Sequence, residues 1–289
     1  MKGIILSGGL GTRLYPSTIA VSKQLLPVYN KPMIYYSLSC LMLAKIKDIL
    51  LITTEKDISS YKKLFGNGSH LGIKITYAIQ RQPKGLVDAF YIGSKFIGKE
   101  DVCLILGDNI FYGDGFSDLL IESKKIVKNK KNAVIFTFPV KNPSEYGIAN
   151  IVNDKLVSLV EKPKKIDKKN AVVGLYFYPN SVIKLAKKVK PSKRGEIEIT
   201  DLNKVYLKLK KIEAVQMGRG YAWFDAGSVD SLHEVSQLIK SIENRMGYKI
   251  GCIEEIAFNN KWIKKNQLKK IAKKYCNSEY GLYVESLTK

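Results

Sequence analysis

Histidine and cysteine are scarce in this chain of 289 residues, which contains two histidines and four cysteines. With only His70 and His233 available, a histidine-rich zinc site is excluded, and a Ser-His-Asp triad would have to use one of the two. No two cysteines form a CxxC pair, and each has apolar or aromatic residues close by in the sequence. We therefore expect reduced, packed thiols in a cytoplasmic protein at Cys40, Cys103, Cys252 and Cys276.

Long apolar runs are also missing. No segment approaches the roughly 20 consecutive apolar residues that a transmembrane helix needs. The short apolar run at 4–6 gives way at once to a glycine-rich segment, which is not the pattern of a signal peptide. These absences favour a cytoplasmic protein without a membrane partner.

Acidic residues are outnumbered by basic ones, and few of the basic ones are arginine. The 48 Lys+Arg residues and 26 Asp+Glu residues give a formal net charge of +22. Such a charge indicates an anionic partner, which could be nucleic acid, an acidic membrane surface or a phosphorylated small molecule. Reading of base edges in DNA depends on the forked guanidinium of arginine, which lysine cannot replace. We therefore expect small anionic substrates and no nucleic acid.

Short apolar runs with β-branched residues alternate with segments of helical periodicity over the first 140 residues. The runs predict strands at 3–7, 48–53, 73–80, 102–106 and 133–140. The segments between them predict helices at 33–44, 86–97 and 116–127. Alternation of this kind implies right-handed βαβ units, so we expect an α/β fold with a mostly parallel sheet flanked by helices.

The pattern changes after residue 140. Two short runs joined by Asn153 and Asp154 predict a hairpin, and further strands are expected at 172–178, 212–217 and 221–224. Helical periodicity marks the segments at 181–189 and 199–209. From residue 229 onwards, a long amphipathic helix at 229–245 and a basic helix at 262–275 predict a helical C-terminal extension.

A glycine-rich loop follows the first predicted strand directly. Its glycines, Gly8, Gly9 and Gly11, do not form a dinucleotide fingerprint, because leucine occupies the third glycine position, and the Gly-Lys-Ser/Thr of a P-loop is absent. What remains is a loop whose backbone amides can approach a phosphate. Arg13 and Lys23 are cations that suit a triphosphate with pyrophosphate as its leaving group. A glycine turn flanked by surface cations is the alternative interpretation.

Two aspartates stand at the ends of predicted strands. Asp108 follows the run at 102–106, and Asp225 follows the run at 221–224. Ligands collect at the carboxyl ends of strands in open α/β sheets, and Mg²⁺ prefers oxygen ligands such as carboxylates. Together the two aspartates could hold one Mg²⁺ that bridges nucleotide phosphates. Each of them alone could instead cap a helix or close a turn.

Glu161 and Lys162 form a charged pair at the end of another predicted strand. The lysine could bind a phosphate as a point charge, and the glutamate could accept hydrogen bonds from sugar hydroxyls. A charged turn without a ligand would have the same sequence.

These motifs together resemble those of the sugar-nucleotide pyrophosphorylases, or sugar nucleotidyltransferases. The similarity extends from residue 1 to about residue 280. It is carried by the segments at 8–16, 22–29, 31–36, 106–109, 145–147, 161–163, 174–178, 194–201 and 217–225. The fold that the resemblance implies is a Rossmann-like, glycosyltransferase-A-like α/β domain with a smaller β-containing part that binds the sugar.

The resemblance also implies an activity. It is the Mg²⁺-dependent transfer of a thymidylyl group from dTTP to glucose 1-phosphate by direct in-line attack on the α-phosphorus, which gives dTDP-glucose and pyrophosphate. The catalytic domain would span 1–228, with 1–140 mainly binding the nucleotide and 141–228 mainly binding the sugar. The extension at 229–289 would serve oligomerisation and regulation.

Individual residues acquire roles through the same resemblance. The implied catalytic residues are Arg13, Lys23 and Lys162, and the implied Mg²⁺ ligands are Asp108 and Asp225. The implied nucleotide-binding residues are Gly8, Gly9, Gly11, Thr12, Arg13, Gln24, Gln80, Gly85 and Asp108. The implied sugar-phosphate site comprises Tyr146, Gly147, Glu161, Lys162, Val173 and Glu196.

Regulation is implied at a separate site. The C-terminal helices resemble those that build a homotetramer with an end-product inhibition site near the subunit contacts. By this analogy, a deoxythymidine-diphospho-sugar such as dTDP-rhamnose would bind at Gly218, Arg219, Lys249 and Glu255.

Small departures from the family pattern leave nucleotide selectivity open. Ser7 replaces the usual alanine, and Lys84 stands where an acidic residue is common. One alternative is therefore an enzyme that uses UTP or accepts several triphosphates or sugar phosphates. Two others are a nucleic-acid-binding protein, which leaves Asp108 and Asp225 without a role, and a regulatory homologue without turnover, against which the intact cations and carboxylates argue.

Overall fold

The computed structural model describes residues 1–164, 170–192, 195–275 and 277–289. Cys276 and the first residue of the 194–201 segment, Arg194, lie outside the described residues. Within them, no helix is long and apolar enough to cross a membrane.

Most of the strands belong to one sheet, and two short pairs stand apart from it. The strands are β1 Lys2–Ser7, β2 Pro27–Val28, β3 Lys31–Pro32, β4 Asp48–Thr53, β5 Lys74–Ile79, β6 Val102–Leu106, β7 Ile110–Gly113, β8 Ala133–Pro139, β9 Gly147–Val152, β10 Lys155–Glu161, β11 Asn170–Tyr178, β12 Ile212–Gln216 and β13 Tyr221–Phe224. The separate pairs are β2 with β3 and β7 with β13, both antiparallel.

The main sheet is mixed. Strands β5, β4, β1 and β6 are parallel neighbours in that order. Strand β11 then lies antiparallel to β6 and, on its other side, to β8, which pairs in parallel with β12. Strands β9 and β10 form the predicted hairpin, joined to the sheet through β11. Strands β1, β4 and β6 are almost wholly apolar because helices cover both faces of the sheet. The α/β prediction is confirmed.

Helices cover both faces of the sheet and form the C-terminal part. They are α1 Ile34–Leu43, α2 Ile58–Phe65, α3 Asp88–Ile92, α4 Ser94–Ile97, α5 Phe116–Lys130, α6 Val182–Ala186, α7 Ile199–Lys208, α8 Val229–Met246, α9 Ile253–Asn259, α10 Lys265–Lys274 and α11 Glu279–Ser286. One face packs on α1, α2, α5, α9, α10 and α11, and the other on α3, α4, α6 and α7. Helix α8 packs in a third cluster with residues of β2, β7 and α1.

The helix predicted at 86–97 is interrupted at Gly93, which separates α3 from α4. A Cβ at this position would lie 2.8 Å from the carbonyl oxygen of Ala89 and 2.9 Å from Cδ1 of Ile4 on β1. The glycine therefore lets the backbone of this segment approach the sheet closely.

The C-terminal helices are joined to the rest of the chain by a buried ion pair and by shared core. Glu243 of α8 is fully buried and accepts hydrogen bonds from the Lys31 ammonium at 2.9 Å and from the backbone amide of Ile250 at 2.9 Å. Helices α9, α10 and α11 share a hydrophobic cluster with α1 that includes Cys40 and Cys252. Burial raises the pKa of both thiols. Together with Cys103, these are buried free cysteines, as predicted.

Candidate active site

The glycine-rich loop leaves the carboxyl end of β1, at the centre of the sheet. Gly11 has a φ of +65°, and its carbonyl oxygen accepts a hydrogen bond of 2.7 Å from the Thr18 hydroxyl. The loop continues into a short 3-10 turn, where Leu14 is buried and Thr12 and Arg13 face outwards. The anchored turn therefore presents Arg13 at the sheet edge where β6 also ends.

Asp108 lies at that edge, directly after β6, and forms a salt bridge with Lys23. The ammonium of Lys23 is 2.7 Å from Oδ2 of Asp108, and the Asn109 amide donates to Oδ1 at 3.0 Å. Burial opposes ionisation of Asp108, but the positive charge of Lys23 and these hydrogen bonds outweigh it and lower the pKa of Asp108. The carboxylate is thus held ionised.

Asp225 follows β13 and faces the same space. Burial raises the pKa of Asp225, and the negative charge of Asp108 raises it further, while Lys23, Arg13 and a hydrogen bond from Tyr146 act in the opposite direction. Asp225 in turn raises the pKa of Tyr146, although burial is the larger cause. Two carboxylates that repel each other inside a cleft form a site where a cation would be stabilised.

Asn109 connects the strands that carry these two carboxylates. Its side chain is 2% exposed, and its Oδ1 accepts hydrogen bonds from the Gly174 backbone amide of β11 at 2.9 Å and from the Trp223 indole of β13 at 2.7 Å. A Cβ at Gly174 would lie only 2.6 Å from that oxygen. One amide therefore orients Asp108 and ties β6 to β11 and β13.

A first cavity, of about 220 Å³, opens beside the glycine loop. Its wall contains Leu6, Leu106, Pro83, Leu86, Glu196, Glu198 and six of the predicted nucleotide-binding residues, Gly8, Gly9, Gln24, Gln80, Gly85 and Asp108. We call this space the nucleotide cavity. Of the other predicted nucleotide-binding residues, Gly11 and Thr12 belong to the loop that leads away from it, and Arg13 lines the neighbouring cavity.

Gly85 is where the nucleotide cavity meets the segment that carries Glu196 and Glu198. Its φ is +100°, and a Cβ there would lie 2.5 Å from the carbonyl oxygen of Ile197. The Ile197 amide donates to the carbonyl of Lys84 at 2.8 Å. Only glycine combines this backbone conformation with so close an approach.

A second cavity, of about 300 Å³, lies on the other side of Asp108. It is lined by Arg13, Asp225 and five of the predicted sugar-phosphate residues, Tyr146, Gly147, Glu161, Lys162 and Glu196. We call it the sugar cavity. Val173 is the exception among the predicted residues, because its side chain is buried in the core and its neighbours Val172 and Gly174 line the cavity instead. Val173 could contribute there only through its backbone.

Hydrogen bonds hold the charged pair at the end of β10. The Thr200 hydroxyl donates to Oε2 of Glu161 at 2.5 Å, and a Cβ at Gly147 would lie 2.7 Å from that hydroxyl. Lys162 has a φ of +41° and donates its backbone amide to the carbonyl oxygen of Tyr146 at 3.0 Å. A lysine held in this left-handed conformation is a strained residue at the rim of a cavity.

The two cavities share a wall. Asp108, Leu86, Leu106, Glu196 and Glu198 line both of them. Lys23 lines neither cavity itself, but its ammonium contacts Asp108. A ligand in each cavity would therefore meet the other ligand at Asp108.

A divalent cation fits this junction. Among the described residues, no group of three or more His, Cys, Asp and Glu side chains could hold a metal. Mg²⁺, however, is commonly bound by one or two carboxylates together with substrate phosphates and water. Asp108 and Asp225 both line the sugar cavity, and the negative charge of Asp108 raises the pKa of Asp225, so a cation between them would be favoured.

The predicted regulatory residues lie elsewhere and in two groups. Gly218 and Arg219 are exposed in the loop between β12 and β13. Lys249 contacts Glu243 at 3.3 Å and also bonds to Glu279, while Glu255 accepts a hydrogen bond of 2.8 Å from the Tyr283 hydroxyl. In the part of the chain that the structure describes, no hydrogen bond or ion pair joins the two groups.

Several residues of the site were not predicted from the sequence. Asn109 and Thr200 orient predicted residues, and Glu198 lines both cavities. Asn109 directly follows Asp108, so its polar character at the end of a buried strand was the available signal. Thr200 and Glu198 sit at the start of α7, where a capping role is the ordinary interpretation.

Comparisons with known proteins agree with this geometry. Residues 2–242 match the nucleotidyl transferase family. The chain is 49% identical to the glucose-1-phosphate thymidylyltransferase of Neisseria meningitidis over 100% of both proteins, and 48% identical to that of Mycolicibacterium smegmatis over 99% of both. Among solved structures, a Bacillus anthracis protein assigned as a glucose-1-phosphate thymidylyltransferase, in complex with a sucrose, matches with a TM-score of 0.75 and 38% identity over 82% of this chain and 94% of its own. A UDP-glucose pyrophosphorylase complexed with UDP-glucose matches with a TM-score of 0.74 and 25% identity over 83% and 98%.

Proposed function

The chain belongs to the nucleotidyl transferase family, and we propose that it transfers a thymidylyl group from dTTP to glucose 1-phosphate, which gives dTDP-glucose and pyrophosphate. The observation that carries the proposal is the pair of cavities that share Asp108 as a wall. Full-length relatives that are named glucose-1-phosphate thymidylyltransferase support the choice of substrates.

The nucleotide cavity would receive the base at Gln80 and Gly85 and the phosphates at the glycine loop. The amide of Gln80 offers one acceptor and one donor group to the imide edge of a pyrimidine. The backbone at Gly8 and Gly9 can approach a phosphate closely because no side chain stands in the way. Arg13 and Lys23 supply positive charge where the triphosphate would lie.

The sugar cavity would hold glucose 1-phosphate so that its phosphate oxygen faces the α-phosphorus across the shared wall. Lys162 is suited to bind that phosphate, and Glu161 and Glu196 are suited to accept hydrogen bonds from sugar hydroxyls. The phosphate oxygen then attacks the α-phosphorus in line, and pyrophosphate leaves on the opposite side. Catalysis of this kind comes from positioning and charge stabilisation rather than from a covalent intermediate with the enzyme.

Asp108 and Asp225 would hold Mg²⁺. Bound there together with the phosphates, the ion would neutralise their negative charge. Lys23 keeps Asp108 ionised before the substrates bind, which suits a metal ligand. Arg13 and Lys23 would stabilise the charge that develops on the departing pyrophosphate.

A second candidate function is transfer from UTP. The match to a UDP-glucose pyrophosphorylase solved with UDP-glucose favours it, because thymine and uracil present the same imide edge to Gln80. Both candidates use the same chemistry and the same residues, and they differ only in the base.

We further propose, on the resemblance alone, a homotetramer with feedback inhibition by dTDP-rhamnose at Gly218, Arg219, Lys249 and Glu255. Initial rates measured with and without dTDP-rhamnose, together with the mass in solution, test this proposal. Identical rates at saturating inhibitor would contradict the regulation, and a monomeric mass would contradict the tetramer.

The main test is pyrophosphate release with glucose 1-phosphate and each of dTTP, UTP, GTP, ATP and CTP, with and without Mg²⁺. We expect fast release with dTTP and little with the purine triphosphates. Comparable release with UTP would favour the second candidate function. Asp108→Asn is the control, because it keeps the shape of the side chain and removes the charge. Release by this variant at the normal rate, or none by the native enzyme with any pair, would contradict the proposal and lead to other sugar phosphates and then to a regulatory role.

A further inference from the structure

The amide of Gln80 is held in one orientation by a residue outside the nucleotide cavity. Its Nε2 donates a hydrogen bond of 2.9 Å to Oδ2 of Asp88. Its Oε1 lies against the glycine loop, where a Cβ on Gly8 would be only 2.3 Å away. Gln80 is 6% exposed and its backbone amide donates to Thr53 at 2.8 Å, so the side chain has little freedom to move.

Asp88 does not line the nucleotide cavity. It is half-buried at the start of α3 and borders a cleft on the outer side of Gln80. The other residues of this cleft are Ile79, Arg81, Gln82, Lys84 and Ile92. The contact of Asp88 with the wall of the nucleotide cavity is therefore its hydrogen bond to Gln80.

From this arrangement we propose that Asp88 is a positioning residue that fixes the Gln80 amide and thereby favours uracil and thymine nucleotides over cytosine nucleotides. The inference rests on the proposed function, because it assumes that the base of the triphosphate contacts Gln80.

The direction of the selectivity follows from donors and acceptors. An ionised carboxylate only accepts hydrogen bonds, and the two ends of an amide are not equivalent, because the NH₂ group donates and the carbonyl oxygen accepts. Asp88 therefore selects the orientation that directs Nε2 towards itself. A flipped amide would bring two acceptors together and would lose a hydrogen bond to a charged group.

The orientation selected leaves Oε1 on the side of the glycine loop. Uracil and thymine carry an N–H at position 3 that can donate to Oε1. Cytosine carries a lone pair at position 3 and would favour the opposite amide orientation. Selectivity of this kind depends on an unfavourable pairing with the wrong base as well as on a favourable pairing with the right one.

The test measures the binding of dUTP and dCTP, which differ only at the base edge in question. Dissociation constants would be determined by calorimetry for the full-length native protein and for Asp88→Asn, whose amide can donate as well as accept and so permits both orientations of Gln80. We expect the preference for dUTP over dCTP to fall by roughly tenfold or more, the effect of losing one charge-assisted hydrogen bond. Asp88→Ser serves the same purpose if the first variant does not fold.

The matched control is Asp118→Asn. Asp118 is exposed in the first turn of α5, so this change removes the same charge from the first turn of a helix without contact with Gln80. An unchanged preference in this control, together with a reduced preference in Asp88→Asn and Asp88→Ser, is the expected result. A preference that is unchanged in all three variants would overturn the inference.

Turnover separates this inference from the proposed function. If the native protein releases no pyrophosphate while the preference for dUTP over dCTP falls in Asp88→Asn, the proposed function fails and the positioning role of Asp88 stands. If release with dTTP is fast and the binding preference does not change, the positioning role fails and the proposed function stands. Tight binding of dCTP by the native protein, equal to that of dUTP, would also overturn the inference.

Discussion

Replacement of Asn109 by leucine removes three hydrogen bonds from the centre of the site without leaving room for water. The two side chains have the same branching at Cγ, so the methyl groups of leucine would stand where Oδ1 and Nδ2 stand now. The buried N–H groups of Gly174 and Trp223 then lose their acceptor, and Asp108 loses the amide that donates to its Oδ1.

The expected loss of stability follows from the two donors. An unsatisfied buried donor costs about 1–3 kcal/mol, so the two together should lower the free energy of unfolding by roughly 2–6 kcal/mol. This is a large part of the about 5–15 kcal/mol that usually separates the folded and unfolded states. Turnover should also fall, because β13, which leads to Asp225, is no longer tied to β6.

Urea unfolding followed by tryptophan fluorescence measures the stability, since Trp223 is itself one of the two tryptophans. The matched control is Asn150→Leu, on β9, because the buried Oδ1 of Asn150 has no hydrogen-bond partner among the described residues. We expect this control to leave stability nearly unchanged. If the free energy of unfolding of Asn109→Leu were also within about 1 kcal/mol of that of the native protein, the cost assigned to the unsatisfied donors of Gly174 and Trp223 would be refuted.

Three further changes test separate parts of the site. Burial and Asp108 raise the pKa of Asp225, so the folded state holds a proton more tightly than the unfolded chain, and stability falls as pH rises through that pKa. Asp225→Asn, which cannot ionise, should therefore raise the Tm at pH 7 in metal-free buffer while turnover falls by orders of magnitude; a lower Tm would contradict this. Gly85→Ala should raise KM for both substrates and lower the free energy of unfolding by at least about 1–3 kcal/mol, because its Cβ would collide with Ile197. The control Gly98→Ala is also at positive φ, but its nearest contact lies at 4.0 Å, so it should lower stability through backbone strain alone and leave KM unchanged. Equal KM values for the two variants would rule out an effect of the collision on substrate binding. Lys162→Ala should raise KM for glucose 1-phosphate more than KM for dTTP, and an equal rise in both would mean a different role for Lys162.

The opposite effects expected for Asp225→Asn have a common origin. A carboxylate that is buried beside another carboxylate destabilises the metal-free fold, and the same repulsion makes the pair a good ligand for a cation. The site would thus trade stability of the free protein for affinity towards Mg²⁺.

The sequence by itself determined the α/β class and the position of Asp108 at the end of a central parallel strand. Asp225 follows β13, which pairs antiparallel with β7 outside the main sheet, so packing brings this second carboxylate to the site. Strand and helix periodicity depend on neighbours along the chain, and the carboxyl ends of parallel strands meet at one edge whatever the details of packing. For that reason the glycine loop and Asp108 could be assigned to one site before the fold was known, and the structure brings them to the same cavity. Family resemblance, rather than pattern, supplied the choice of substrates.

Only the tertiary structure decided how the site is held together. The acceptor role of Asn109 joins residues 65 and 114 positions apart in the chain, and such contacts leave no local signal because packing brings them about. The approach of Gly85 to Ile197 and the burial of the Val173 side chain in the core depend in the same way on how segments meet. Gln80 and Asp88 are eight residues apart, yet their hydrogen bond exists because β5 and α3 place the two side chains on opposite sides of a cavity wall.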